Sequence, residues 1–168
     1  MKTSSQPSAS TDDMKHRHRD VNAIITWKDG DGVVEFPDGR RVRGRGLLAP
    51  PPHGLDPQFG FYLLGREPRI YCWPHRWVLW QDFSLPTSTT DGVAALHEAC
   101  ERAAIERVEI ACDGGMGRTG TGLAVLAIIS GVSTHDAVNW VRKHYHPQAV
   151  ETPHQRRWIS NISSHLGT

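Results

Sequence analysis

The stretch Ala111-Cys112-Asp113-Gly114-Gly115-Met116-Gly117-Arg118-Thr119-Gly120 constrains this chain more than any other. Arg107 to Ala111, with Val108 and Ile110 alternating, reads as a buried strand leading in. Leu123 to Ile129, apolar throughout, reads as a buried helix leading out. A glycine-rich turn between such elements points successive backbone N–H groups into one concavity. It also aims the positive end of the helix dipole there, which makes an anion site. A thiolate is stabilised by a helix N-terminus and a nearby arginine, so Cys112 is a candidate nucleophile. Arg118 offers a planar fork that matches two phosphate oxygens.

Three patterns compete for this turn. Gly115-Met116-Gly117-Arg118-Thr119-Gly120 satisfies G-x-G-x-x-G, the dinucleotide-binding pattern. A second helix follows the first here, however, where that fold needs a strand ending in an acid for the cofactor ribose. The nucleoside-triphosphate loop needs Gly-x4-Gly-Lys-Ser/Thr; Cys112 stands where its first glycine belongs and Arg118 replaces its lysine. Only Cys-x5-Arg-Thr fits without exception.

Cys112-x5-Arg118-Thr119-Gly120 resembles the signature loop of the cysteine-dependent protein tyrosine phosphatase superfamily. Upstream, Trp80-Gln81-Asp82-Phe83-Ser84-Leu85-Pro86 is similar to that superfamily's Trp-Pro-Asp acid loop. Downstream, Glu151-Thr152-Pro153-His154-Gln155 is similar to the Gln-Thr-x-x-Gln segment that places the hydrolytic water. The order of the three segments is that of the tyrosine- and dual-specificity-like branch, of bacterial type. Low-molecular-weight phosphatases, with the cysteine near the N-terminus and the acid after it, do not fit.

The resemblance implies a role for each matched residue. Cys112 attacks phosphorus, and Arg118 with the loop amides of Asp113, Gly114, Gly115, Met116 and Gly117 holds the phosphate oxygens. Asp82 serves as general acid and then base, Thr119 bonds the departing sulfur, and Gln155 orients water. No metal or other cofactor is implied. Plainer readings stand beside these: Asp82 as a turn residue, Thr119 as a helix cap, and Gln155 as the third residue of a capping box opened by Thr152. Four positions depart from the family pattern. Ala111 replaces a supporting histidine, Gln81 the acid-loop proline and Glu151 a glutamine, while Asp113 sets a carboxylate beside the nucleophile. Asp113 is expected to point away from the pocket, since its charge there repels phosphate.

The implied substrate is a phosphorylated protein or a small phosphate monoester. The signature loop has no lysine of the kind lipid-directed relatives carry, which favours a single phosphate, phosphotyrosine first and dual specificity next. Two rivals remain: a phosphate-binding module without turnover, and a cysteine-based redox or arsenate-reducing enzyme needing a resolving thiol at Cys100 or Cys72.

Composition narrows the setting. A formal net charge of +1 gives no electrostatic argument for nucleic acid or an anionic membrane. Three cysteines without zinc spacing suggest neither a disulfide framework nor a metal site, which fits a reducing cytoplasm. The expected organisation is a disordered tail over residues 1–20, too polar in composition to be a secretory signal, and a catalytic domain over 21–168.

Along that domain the expected class is α/β: a central mixed, largely parallel sheet flanked by helices, with a small N-terminal antiparallel hairpin. Strands are expected at Ala23–Trp27, around Val33–Phe36, near Val42 after the Asp38-Gly39 turn, at Phe59–Leu64, Arg69–Trp73 and Trp77–Trp80. Pro50-Pro51-Pro52 is expected as a rigid extended connection. Trp73, Trp77, Trp80 and Arg76 are expected to form one packed hinge for the acid loop. Helices are expected from Ser88 to about Ala104, from the signature loop to Gly131, from Ser133 to before Pro147, and from Thr152 through Leu166.

Overall fold

The computed structural model describes residues 26–70 and 72–167. The expected tail and all but the last two residues of the Ala23–Trp27 strand lie outside the described residues. Trp27 itself is in a loop, buried, with its Nε1 donating to Val108 O at 2.7 Å.

Among the described residues, five strands form one sheet: β1 (Val33–Glu35), β2 (Arg41–Gly46), β3 (Phe59–Leu64), β4 (His75–Leu79) and β5 (Val108–Cys112). Their spatial order is β1-β2-β5-β3-β4. Only β1 runs antiparallel, joined to β2 through the Asp38-Gly39 turn, where Gly39 has φ +85°. The other strands are parallel, with Val42 opposite Val108, Phe59 opposite Val108 and Gly60 opposite His75. The C-terminal ends of β2, β3, β4 and β5 therefore converge on one edge, where open α/β sheets place their ligands.

The helices among the described residues are α1 (Thr89–Arg102), between β4 and β5, then α2 (Gly117–Ile129), α3 (Ala137–His144), α4 (Pro153–Ser160) and α5 (Ser163–Leu166). Ser88 caps α1, its Oγ accepting from Asp91 N at 3.2 Å. Val93, Leu96 and Cys100 form the buried stripe of α1, continued by Ala103 at its C-cap. α2 is buried over nearly its whole surface, and Gly131 at φ +109° turns the chain after it. Helix residues pack in one cluster with Val42, Phe61, Leu63, Val78, Trp80, Val108, Ile110 and Cys112. Strand alternation sends Tyr62, Leu64 and Ala111 to the other face, against Leu47, Ile70 and Trp77.

That second face holds a buried charge network. Glu109 is fully buried and accepts from Arg43 Nε at 3.0 Å and Nη2 at 2.7 Å. Arg45 Nε lies 3.0 Å from the same carboxylate, and Tyr62 Oη donates to it at 3.3 Å. Arg43 stacks on the Trp27 ring at 4.2 Å. Burial, then the neighbouring Glu109 charge, pushes the Tyr62 phenol well above its ordinary range, so it stays neutral and donates.

Several expectations are corrected. Residues 69–70 and 72–73 form no strand, because Pro68 and Pro74 bracket this short segment and each removes a ladder donor. Cys72 is accordingly an exposed loop residue. The tryptophans do not form one cluster. Trp77 and Trp80 lie on opposite faces of the sheet, and Trp73 donates to Tyr62 Oη at 2.7 Å. Arg76 instead joins β4 to α1, through Asp91 at 2.6 Å and Glu98 at 2.8 Å. The C-terminal helix is two pieces, interrupted at Asn161 and Ile162. The turn over 134–136 precedes α3, and Ser133 Oγ accepts from Asp136 N at 3.1 Å at its start.

Candidate active site

The signature stretch is the link from β5 to α2. Gly115 takes φ +79°, and a Cβ there would sit within 2.8 Å of Gly46 Cα, so β2 presses directly on the turn. Leu47 N donates to Cys112 O at 2.9 Å and Leu48 N to Asp113 O at 3.1 Å, pinning the loop's outer rim to the end of β2. From the helical side, Tyr145 Oη donates to Gly115 O at 2.6 Å. This contact braces the loop in a protein that carries Ala111 where the family pattern has a histidine.

Cys112 is 2% exposed, and its Sγ accepts from Thr119 Oγ1 at 3.0 Å and Gly115 N at 3.2 Å. Two donors directed at one sulfur are an arrangement that stabilises a thiolate. No side chain caps α2 and no acid occupies its first turn, so its N-terminal amides keep their capacity for an anion.

Arg118 is also 2% exposed, and its guanidinium has two differently used edges. Nη1 is fixed by Trp80 O at 3.1 Å. Nε is buried without a hydrogen-bond partner, and Nη2 has only longer contacts, 3.3 Å to Asp82 Oδ1 and 3.3 Å to Asp113 Oδ2. A buried donor left unpaired is costly, and a guanidinium edge with two N–H groups directed the same way matches two oxygens of an oxyanion in geometry.

The acid loop folds over this arginine. Trp80 is fully buried, packs edge-on to Trp158 at 5.6 Å, and donates Nε1 to Ser84 O at 2.8 Å. Phe83 takes φ +55°, a region few side chains tolerate, and Asp82 Oδ1 accepts its N–H at 3.0 Å. The Asp82 side chain remains 56% exposed, at the mouth above Arg118. Gln155 is fully buried. Its Oε1 accepts from Glu151 N at 2.9 Å and Thr152 N at 3.1 Å, while its Nε2 donates to Ser84 O at 3.3 Å. The capping box is therefore formed, and the same side chain ties α4 to the acid loop.

Asp113 corrects its expectation. It faces the arginines, bridging Arg66 Nη2 at 2.9 Å and Arg118 Nη2 at 3.3 Å. Burial opposes ionisation, but hydrogen bonds and charge from Arg66 and Arg118 outweigh it and hold the carboxyl below its usual range. A cation already present on each side removes the repulsion that made an outward orientation attractive.

The turn thus brings together Cys112, Arg118, Thr119, Asp82 and the Asp113–Gly117 backbone, with Gln155 one step behind. Sequence reasoning missed Arg66, Tyr145 as a loop brace, and the Trp80 carbonyl. Tyr145 lies within the helix expected from Ser133 to before Pro147; no local signal marks the other two. Glu151 also reaches this region, its carboxylate lying against Gly117 at the first turn of α2.

Comparison with known proteins decides the family. The family model described as protein-tyrosine phosphatase matches residues 65–164, which spans the acid loop, the signature loop and the Thr152–Gln155 segment. The chain belongs to the protein-tyrosine phosphatase family. Among solved structures, Tk-PTP in its active form superposes with a TM-score of 0.61 at 23% identity, over 78% of this chain and 96% of that one. A kinase associated phosphatase with its catalytic-site cysteine changed to serine gives 0.55 at 17% identity, over 65% and 70% of the two chains. DUSP15 gives 0.53 at 10% identity, over 64% and 72%. These likenesses concern the fold. No curated protein matches significantly in sequence.

Other features bear on the rival readings. Among the described residues, no group of His, Cys, Asp and Glu is arranged to hold a metal, and no helix is long and apolar enough to cross a membrane. A cysteine–arginine contact lies elsewhere, Arg40 Nη1 to Cys100 Sγ at 2.8 Å. It lies at the start of β2, whereas Cys112 is level with Gly46 at that strand's end, roughly 15–20 Å away. A disulfide needs Cα atoms within about 7 Å, so Cys100 is not a resolving thiol for Cys112 in this fold. Burial is the main reason its thiol is pushed up, only partly offset by Arg40.

Proposed function

We propose that this protein is a metal-independent protein-tyrosine phosphatase acting through a phosphocysteine on Cys112. The observation that carries the reading is the buried Arg118 fork, one residue from the Thr119 that bonds Cys112 Sγ, with its Nε unpaired and Nη2 only loosely held. It supports a tetrahedral dianion as the missing partner.

In the first step the Cys112 thiolate attacks phosphorus in line, and the ester oxygen departs with a proton from Asp82. Arg118 and the amides from Asp113 to Gly117 hold the equatorial oxygens throughout, and such fixed donors usually supply the largest share of barrier lowering. Thr119 Oγ1, already 3.0 Å from the sulfur, stabilises the thiolate as it leaves phosphorus in the second step. Asp82 then takes a proton from the attacking water. Gln155 holds the acid loop through Ser84, and in this reading reaches water only by exchanging that bond. Phosphotyrosine is the preferred substrate, with dual specificity as its neighbour.

The test is hydrolysis of para-nitrophenyl phosphate in the presence of chelator, with Cys112→Ser and Asp82→Asn alongside. Turnover should survive chelation, vanish in the serine variant, and fall about 10²-fold or more in the asparagine variant. Bound phosphate without turnover in the unaltered protein would instead make it a phosphate-binding module.

A further inference from the structure

A cavity of about 640 Å³ opens beside the signature loop on the second face of the sheet. Its walls include Arg45, Arg66 and Arg69 together with Leu47, Leu64 and Ile70; the single acid lining it is Glu67. The walls are joined directly to the candidate active site. Leu47 N donates to Cys112 O, and Arg66 shares the Asp113 carboxylate with Arg118. Cradle and cavity are thus separated by one carboxylate, on the order of 10 Å, or about three extended residues.

The charge at this place is unbalanced. In the buried network behind the cavity, one carboxylate, Glu109, faces two guanidinium groups, Arg43 and Arg45. Glu109 accepts two hydrogen bonds from Arg43 and one from Tyr62, whereas Arg45 reaches it only through Nε, in a geometry that leaves that N–H without a hydrogen bond. The Arg45 side chain is 12% exposed and is the member that lines the cavity. A positive charge so desolvated and so poorly compensated favours an anion next to it. Arg66 is claimed by Asp113, while Arg69 is exposed at the rim, so Arg45 and Arg69 together exceed the one lining acid, Glu67. Leu47, Leu64 and Ile70 suit the aliphatic stem that carries such an anion.

We propose that this cavity is a substrate subsite that takes an acidic side chain, a carboxylate or a second phosphate, two to four residues from the phosphorylated residue of a phosphopeptide. The proposal rests on the phosphatase reading above and narrows it to acidic phosphopeptides. Arg45 supplies the inner cation, Arg69 the outer one, and Arg66 couples the subsite to Asp113 and so to Arg118.

The test measures binding of phosphotyrosine peptides to the Cys112→Ser chain, which does not depend on turnover. One peptide carries Asp or Glu at the flanking positions, one carries Asn or Gln, and one carries phosphoserine. The acidic peptide should bind about tenfold more tightly than the neutral one. That preference should disappear on adding Arg69→Glu, an exposed change that spares the fold, and on adding Arg45→Met. In the active chain, both changes should leave hydrolysis of para-nitrophenyl phosphate within about twofold, since both alter only side chains that line the cavity and the backbone of Arg45, which packs on the signature turn, is unchanged. A stronger gain with phosphoserine than with Asp or Glu identifies the anion as phosphate; the reverse identifies carboxylate. Equal affinity for acidic and neutral peptides, or a preference that survives Arg69→Glu, overturns the subsite. Absence of para-nitrophenyl phosphate turnover in the unaltered protein overturns the phosphatase reading while the binding comparison still reads the subsite.

Discussion

Glu109→Gln is the substitution with the clearest expected cost. Its carboxylate is fully buried between Arg43, at 3.0 and 2.7 Å, and Arg45, at 3.0 Å. The amide is nearly isosteric, so cavity formation contributes little and the effect is electrostatic. Two guanidinium groups, with side chains only 5% and 12% exposed, lose the one carboxylate that compensates them. Breaking a buried pair by removing one partner costs about 3–5 kcal/mol. For a domain of this size each kcal/mol corresponds to about 2–4 °C, so Tm should fall by about 6–20 °C. Urea titration should show a lower midpoint with an unchanged slope, the mark of altered stability rather than altered compactness. Calorimetry on the same samples checks that unfolding stays two-state. A loss under about 1 kcal/mol would refute the reasoning, because it would mean water or rearrangement already solvates both arginines.

Three further outcomes follow from the same geometry. Arg118→Lys keeps the charge but removes the fork whose Nε/Nη2 edge is open, so kcat/KM should fall about 10²–10³-fold with stability little changed. Asp113 has a lowered folded-state pKa, so its contribution to stability is present above its ordinary value of 3.8 and is lost as pH falls through the lower folded value. Urea titrations of Asp113→Asn should therefore lack that part of the acid-side decline while being less stable at neutral pH. Gly46→Ala would put a Cβ 2.7 Å from Gly114 O, a backbone atom of the signature loop. Activity on para-nitrophenyl phosphate should drop sharply, with about 1–3 kcal/mol lost in urea titration.

The chemistry of the site was more legible than its surroundings. Cys112, Arg118 and Thr119 lie within one turn of chain, so the strand–turn–helix pattern alone brings the sulfur, the fork and the hydroxyl together. Asp82 was legible only through the motif around it, since an acid after a strand is otherwise a common turn residue. Thr152 and Gln155 read as a capping box because capping is local, and the box is formed. The failures are non-local. Asp113 was expected outside because Arg66, 47 residues away in sequence, could not be placed beside it. The strand expected over Arg69–Trp73 rested on residue preferences, which Pro68 and Pro74 override. The aromatic hinge failed for a different reason: strand period two sends Trp77 and Trp80 to opposite faces, and only Trp80 serves the acid loop. The Glu109 network gave no signal either, because its members come from β2, β3 and β5 and meet only through the parallel register.

The central claim, covalent transfer to Cys112, is tested most directly by rapid acid quench during turnover of a radiolabelled phosphotyrosine peptide, followed by mapping of the labelled fragment. The account requires label on the fragment carrying Cys112, none in Cys112→Ser, and none on histidine, serine or aspartate. Label on another residue, or turnover that persists in Cys112→Ser, contradicts it.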